Sequence, residues 1–436
     1  MKSISYEKTP ELLIRNGILL DPASGEERRA DVLISDSRIA RIAENIEQKN
    51  IPVFDARGRY ISPGWFDMHV HFREPGREDK ETIATGCAAA VSGGFTGVCP
   101  MPNTAPVADN RGIIEMQIAK AEETPVDLHP IAAATVGQRG EELSEMADLV
   151  DAGAVAFSDD GVAIATAAIT RRAMEYASMY DVPIIEHCED VSLARGGAMN
   201  EGAASTRLGL PGIPGIAEDL IVARDILLAE YTGARVHIAH ISTAGAVELV
   251  RRAKKRGVKV TCEVTPHHFC LTDDHIESYD ANYKMNPPLR TQNDVEAMIA
   301  GLKDGTIDVI ATDHAPHAPE EKEVEFTAAP FGITGLETAI GLIISKLVLP
   351  GHLSLAQALE KITRAPRHIL NLPQAIVQEG EPANLTLFDA AQKWQVRAEE
   401  FYSKSRNSPF IGEELTGRAV GVYNRGLFWH RPAADA

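Results

Sequence analysis

The chain has 436 residues, 44% of them hydrophobic and 24% charged, and a formal net charge of −19. That length exceeds one ordinary core, so a large domain with a smaller companion is expected, of soluble globular composition. The acidic balance disfavours nucleic acid, whose phosphates need a basic face, and no apolar run is long enough to span a membrane.

In chain order, residues 1–60 read as short strands, Leu12–Ile14, Ile18–Leu20, Val32–Ile34 and Ile39–Ile42, separated by turn signals such as Arg15-Asn16-Gly17. From about residue 61 the texture becomes strand, loop, helix, repeated. Expected strands are Gly64–Met68, Phe95–Cys99, Asp127–Ala132, Ala154–Ser158, Pro183–Glu186, Arg235–Ala239, Lys259–Val264 and Asp308–Ala311. Helical patterns lie between them, among them Glu81–Val91, Arg111–Ala121, Thr170–Met179, Ile216–Ala229, Ala244–Lys254 and Asp294–Leu302. Eight strands alternating with helices fit an α/β fold of the (β/α)8 TIM-like barrel type better than a doubly wound sheet. The tail returns to strands at Ala383–Phe388, Trp394–Val396 and Ala419–Trp429. The expected division is therefore a barrel over 61–371 and a small composite β-sandwich built from 1–60 plus 372–436.

The five cysteines form no CxxC pair and read as buried free thiols. Met1–Pro10 lacks the basic-then-apolar pattern of a signal peptide, so a cytoplasmic location is expected.

Chemistry is indicated by where the metal-type ligands fall. His69 and His71 follow the first strand, Asp159 and Asp160 the fourth, His187 the fifth, His240 the sixth and Asp313 the eighth. These are the C-terminal strand ends, where barrel active sites are built. The His-x-His spacing puts two imidazoles on one side of an extended chain, and imidazole with carboxylate suits zinc and similar divalent ions. One such pair among 14 histidines is weak evidence. The same residue types at successive strand ends are strong evidence.

The string Asp67-Met68-His69-Val70-His71-Phe72-Arg73-Glu74-Pro75-Gly76 resembles the opening signature of dihydroorotases, in the amidohydrolase superfamily. Ala311-Thr312-Asp313-His314-Ala315-Pro316-His317 resembles their second signature. Met101–Thr104, Glu186–Asp190, Lys284–Arg290 and Ala329–Gly332 are also similar. The resemblance implies a zinc site of one or two ions, with His69, His71 and Asp313 on the first and His187 and His240 on the second. Many amidohydrolases bridge their metals with a carbamylated lysine, but no lysine lies between Lys120 and Lys254, which leaves Asp159 and Asp160. The bacterial class that the chain resembles bridges with the second aspartate, here Asp160.

The resemblance also implies reversible cyclisation of N-carbamoyl-L-aspartate to L-dihydroorotate plus water, in pyrimidine biosynthesis. A metal-held hydroxide would attack the ring amide, with Asp313 as the catalytic acid and base. Arg73 suits the substrate carboxylate, since a guanidinium offers two parallel hydrogen bonds. By resemblance His71, Asn103, Asn286 and His317 also face the substrate, while the Phe331 and Gly332 backbone reads its amide edges. The stretch 315–329, rich in Pro, Glu and Ala, is expected to be a mobile cover for the site.

Two alternatives compete. One is a dihydropyrimidinase, hydantoinase or allantoinase, whose kind commonly needs the missing lysine and whose substrates generally lack the carboxylate. The other is a non-catalytic dihydroorotase-like partner of aspartate transcarbamoylase, in which ligands would be lost; here all are present. Partners expected are the small-molecule substrate, a second copy in a homodimer, and the transcarbamoylase in a complex.

Overall fold

The computed structural model describes residues 4–432. Residues 1–3 and 433–436, the outer ends of both terminal segments and of the N-terminal stretch read for a signal, lie outside the described residues.

The barrel begins with Trp65–Val70, which pairs in parallel with Phe95–Pro100, and that strand in turn with Asp127–Leu128. Ile131–Ala133, Ala156–Ser158, Ile184–Glu186, Val236–Ile238, Val260–Val264 and Val309–Ile310 follow in parallel register. The expected third strand is thus in two pieces, broken at His129-Pro130, where proline offers no N–H to the ladder. The ring closes through a parallel bridge from Val70 to His314, with the His71 N–H donated to the His314 carbonyl at 2.8 Å. Phe66, Met68, Cys99, Met101, Ile131, Ala156, Ile185, Ala239, Val309 and Ala311 fill the interior. The barrel is therefore a packed core with its chemistry confined to one rim.

Outer helices form where the 3.6-residue pattern supplies an apolar stripe. Ala244–Lys255 buries Ala246, Val247, Val250 and Ala253; Thr243 caps its first turn, and Arg252, Lys254 and Lys255 complement the dipole in its last. Full burial of each valine is worth about 1.5–3 kcal/mol relative to exposure. Arg111–Ala121 runs over the expected residues, whereas Ile216–Thr232 continues one turn further, to a left-handed Gly233. Among the described residues no helix is long and apolar enough to cross a membrane.

The terminal segments share one nine-stranded sheet. Its core joins Leu12, Ile14, Val32 and Ile34 to Leu385, Leu387, Tyr423 and Phe428. Two expectations change here. The turn signal Arg15-Asn16-Gly17 is a bulge inside a single strand, Leu12–Leu20, with Asn16 at φ 57°. A side chain at Gly17 would sit 2.3 Å from the Ile61 methyl, so glycine is what lets the neighbouring strand approach. The sheet also extends past residue 60, because Tyr60–Pro63 pairs with Leu385–Phe388.

In addition, part of the tail leaves the sheet. Phe401 and Phe410 pack with Leu271, Met285, Leu289 and Ile333 against the barrel rim, because those loop residues need apolar cover. The five cysteines are free; four are buried and Cys270 is half-buried.

Candidate metal centre

Strand 1 runs to Val70, so His69 stands inside it and His71 one residue beyond; both rings still turn to the rim. His69 Nε2 lies 3.6 Å from Asp160 Oδ2 and 3.5 Å from Asp313 Oδ1. His71 Nε2 lies 3.3 and 3.0 Å from the same two atoms. On the other side, Asp160 Oδ1 is 3.4 Å from His240 Nε2 and 3.7 Å from His187 Nδ1, and those nitrogens are 3.0 Å apart. Donors on one tetrahedral ion with bonds of about 2.0–2.1 Å stand roughly 3.3 Å from one another. Two such groups are therefore present, His69–His71–Asp160 and Asp160–His187–His240, joined by the two oxygens of one carboxylate.

The donor set fits a metal on a second count. His69 Nε2, Asp160 Oδ1 and Asp313 Oδ1 are buried with no hydrogen-bond partner among the described residues. Buried polar atoms seldom stay unpaired, and several pointing at one small volume call for a cation. Backbone strain converges on the same place: His240 has φ 28° and Asp313 φ 48°, conformations that cost about 1–3 kcal/mol each in a non-glycine residue.

Asp159 and Asp160 are told apart by what they touch. Asp159 accepts the Thr135 N–H at 3.0 Å and its hydroxyl at 2.5 Å. Burial raises the Asp159 pKa, against the Thr135 bonds. Burial would also raise Asp160, but His69, His240 and His71 outweigh it and hold that carboxyl well below the usual range. The same contest leaves Asp313 at about 2, burial being overcome by His69, His71 and His240. At His69 burial opposes charge, yet Asp160, Glu263 and Asp313 raise its pKa well above the ordinary value. At His187 the balance is opposite, burial and His240 lowering its pKa against Asp160.

Support for these side chains comes in part from a residue that the sequence left without a role. Glu263, at the end of strand 7, accepts from His69 Nδ1 at 2.6 Å and from the His240 N–H at 3.3 Å; its other oxygen meets His237 Nε2 at 3.2 Å. The contact on Nδ1 leaves His69 Nε2 to face the rim. Asn103, expected on the substrate, places Oδ1 on His71 Nδ1 at 2.8 Å, a contact that orients the imidazole. The only sequence signal for Glu263 was its position, a carboxylate at a barrel strand end.

Of the remaining candidates, Arg73 is half-buried at the rim, its Nε donating to the Pro316 carbonyl at 3.2 Å. Burial brings it down to about 10, against Asp313, Glu321 and Asp160. Among the described residues no carboxylate is within ion-pair distance of it. Asn286 Nδ2 is 3.4 Å from His187 Nε2, and its Oδ1 is buried and unpaired.

His317, Phe331 and Gly332 are together, but largely bonded to protein. His317 Nε2 donates to the Phe331 carbonyl at 2.8 Å, and the Gly332 N–H to the Lys284 carbonyl at 2.9 Å. His314 turns away: its Nδ1 accepts the Gly335 N–H at 3.1 Å and its Nε2 faces Glu81 at 3.3 Å. Asn407, from the tail, accepts the His317 N–H at 3.1 Å and donates to the Ala315 and Gly332 carbonyls at 3.0 and 3.1 Å. The C-terminal segment thus reaches the site, which its assignment to the sandwich did not anticipate.

Residues 58–246 match the family described as Dihydro-orotase-like. A dihydroorotase of Pelotomaculum thermopropionicum is 52% identical over 407 residues, 93% of this chain and 95% of its own length. One from Solibacter usitatus is 48% identical over 425 residues, covering 97% and 99%. Among solved structures, L-hydantoinase from Arthrobacter aurescens superposes with a TM-score of 0.85 at 25% identity, over 96% of this chain and 95% of that one. A (β/α)8 barrel with a terminal sheet, a rim of histidines and aspartates, and relatives at about half identity over nearly the whole chain lead to one assignment: the chain belongs to the dihydroorotase family of cyclic amidohydrolases.

Proposed function

We propose that the chain catalyses the reversible ring closure of N-carbamoyl-L-aspartate to L-dihydroorotate, with zinc as its metal. The observation that carries this reading is the double contact of Asp160, one oxygen toward His69 and His71 and the other toward His187 and His240. His69, His71 and Asp313 would hold one ion, His187 and His240 a second, and Asp160 both. Imidazole with carboxylate is the donor chemistry zinc accepts. A bound divalent ion polarises a carbonyl oxygen and brings the ionisation of water toward neutral pH.

The chain's own residues supply the rest. Asp313 is ionised, with Oδ1 at the rim 3.0 Å from His71 Nε2, so it can accept a proton there and deliver it to the departing ring nitrogen. In the closing direction it removes that proton from the carbamoyl nitrogen. Arg73 stays charged at neutral pH and, among the described residues, has no carboxylate within ion-pair distance, which leaves its terminal N–H groups for the carboxylate of the substrate. His71 and Asn286, the latter 3.4 Å from His187 Nε2, would also face the substrate, and the Phe331 N–H, bonded to nothing among the described residues, is suited to an amide oxygen of the ring.

The division into a barrel over 61–371 and a sandwich of 1–60 plus 372–436 belongs to this reading, as do a cytoplasmic homodimer in pyrimidine biosynthesis and a complex with aspartate transcarbamoylase. Support for the dimer is the general prevalence of two-fold assemblies.

Metal analysis coupled to a dihydroorotate hydrolysis assay tests the proposal. Turnover that tracks metal content is expected; turnover of hydantoins with none of dihydroorotate, metals bound, would sink the substrate assignment. Arg73→Met is expected to raise KM on the order of 100-fold with metal retained, as loss of a charge-assisted pair implies. Loss of metal in that variant would make Arg73 a structural residue instead.

A further inference from the structure

The segment from Ala315 to Ile333 carries His317, Phe331 and Gly332, and the composition of its 315–329 part suggested mobility. Its contacts say otherwise. Both ends meet where the Ala315 N–H donates to the Ile333 carbonyl at 2.8 Å. Between them, two lysine ammonium groups are turned inward, with 8% of Lys322 and 3% of Lys284 exposed. Lys322 Nζ donates to the carbonyls of Pro330, Ala281 and Lys284 at 2.8, 2.9 and 3.2 Å. Lys284 Nζ donates to those of Phe326 and Thr327 at 2.8 and 3.0 Å and lies 4.6 Å from the centre of the Phe331 ring.

Lysine is among the residues least often buried without a paired charge, and among the described residues neither ammonium has a carboxylate within ion-pair distance. Burial works against both, bringing Lys322 to about 7 and Lys284 to about 8. The compensation is five backbone carbonyls, of which those of Ala281 and Lys284 also accept a backbone N–H. Every one belongs to the segment or to residues 281–284, directly before the Met285–Arg290 stretch that carries Asn286. Lys80 adds an outer tie, with Nζ 2.8 Å from Glu321 and 3.4 Å from His317 Nδ1.

We propose that Lys322 and Lys284 are positioning residues that fix the 315–333 segment as a permanent strap, holding the His317–Phe331–Gly332 edge in its substrate-facing position before substrate arrives. They touch no reacting atom. Their effect is to hold in advance a backbone edge that would otherwise lose freedom on binding. That this edge faces dihydroorotate rests on the function proposed above; that it is tied down does not.

Hydrogen exchange on the metal-loaded, full-length protein separates the two. In the unsubstituted chain, amides of 315–333 are expected to be protected without ligand, and saturating N-carbamoyl-L-aspartate should change their rates by less than about twofold. Lys322→Met should speed exchange there by at least about 10-fold while the barrel strands keep their protection, and raise KM on the order of 10-fold with kcat within about twofold. Lys284→Met serves as the second variant should Lys322→Met not fold. A segment that exchanges freely and gains protection only with ligand would overturn the proposal, as would variants with unaltered exchange. If the chain failed to act on dihydroorotate, the exchange data alone would still decide the tethering.

Discussion

The two halves of the rim cluster share Asp160 but are built to different standards. In the first half each histidine is braced from behind, His69 by Glu263 at 2.6 Å and His71 by Asn103 at 2.8 Å, with Asp313 completing the set. In the second half, among the described residues, His240 Nδ1 is buried without a partner and His187 Nε2 has only the Asn286 amide at 3.4 Å. A braced imidazole is held in one orientation and tautomer and is the more basic for it, whereas an unbraced ring must be ordered by the metal itself. The difference teaches that one shared carboxylate does not make two equal sites: the His69–His71 ion should bind more tightly than the His187–His240 ion.

The largest effect should come from cutting what the halves share. Asp160→Ala removes both oxygens at once and is expected to release both ions and lower kcat/KM by roughly 10³-fold or more, read by metal analysis beside the assay. Two ions retained in that variant would show that the halves do not depend on a common bridge. A sharper cut is Glu263→Gln, which withdraws the charge behind the His69 imidazole but leaves an amide oxygen able to accept the His240 backbone N–H. The first ion's affinity should then fall by about 10–100-fold while the second is little changed, so that titration with a competing chelator removes the ions in reversed order. An unreversed order would mean that the bracing does not set the ranking.

Much of this was legible in the sequence because strand ends are legible. A period-two or short apolar run followed by His or Asp places a side chain on the barrel rim without any coordinates, and His69, His71, Asp160, His187, His240 and Asp313 all fall there. Residues that work from behind were not legible, because pairing Glu263 with His69 needs the closure of strand 7 around to strand 1, 194 positions away in the chain. Asn407 escaped notice for the same reason, since the tail was assigned by its strands and the stretch between them had no period. Gly17 and Asn16 were misread for a local reason: the residues that make a turn also make a bulge, and only the partner strands decide between them.

The smallest expected effect concerns Asp159, the neighbour that any carboxylate count would include in the cluster. Both of its oxygens are spent on Thr135, at 3.0 Å to the N–H and 2.5 Å to the hydroxyl, and neither is offered to a histidine. Asp159→Ala should leave the buried Thr135 N–H without an acceptor and lower stability by about 1–3 kcal/mol, as loss of a buried hydrogen-bond partner does. Both ions should stay, and KM should hold within about twofold, when denaturation and metal content are measured on the same preparation. Loss of the second ion here would mean that Asp159 steadies the loop that aims Asp160 at His187 and His240, and that the weaker half depends on the very turn that the stronger half can do without.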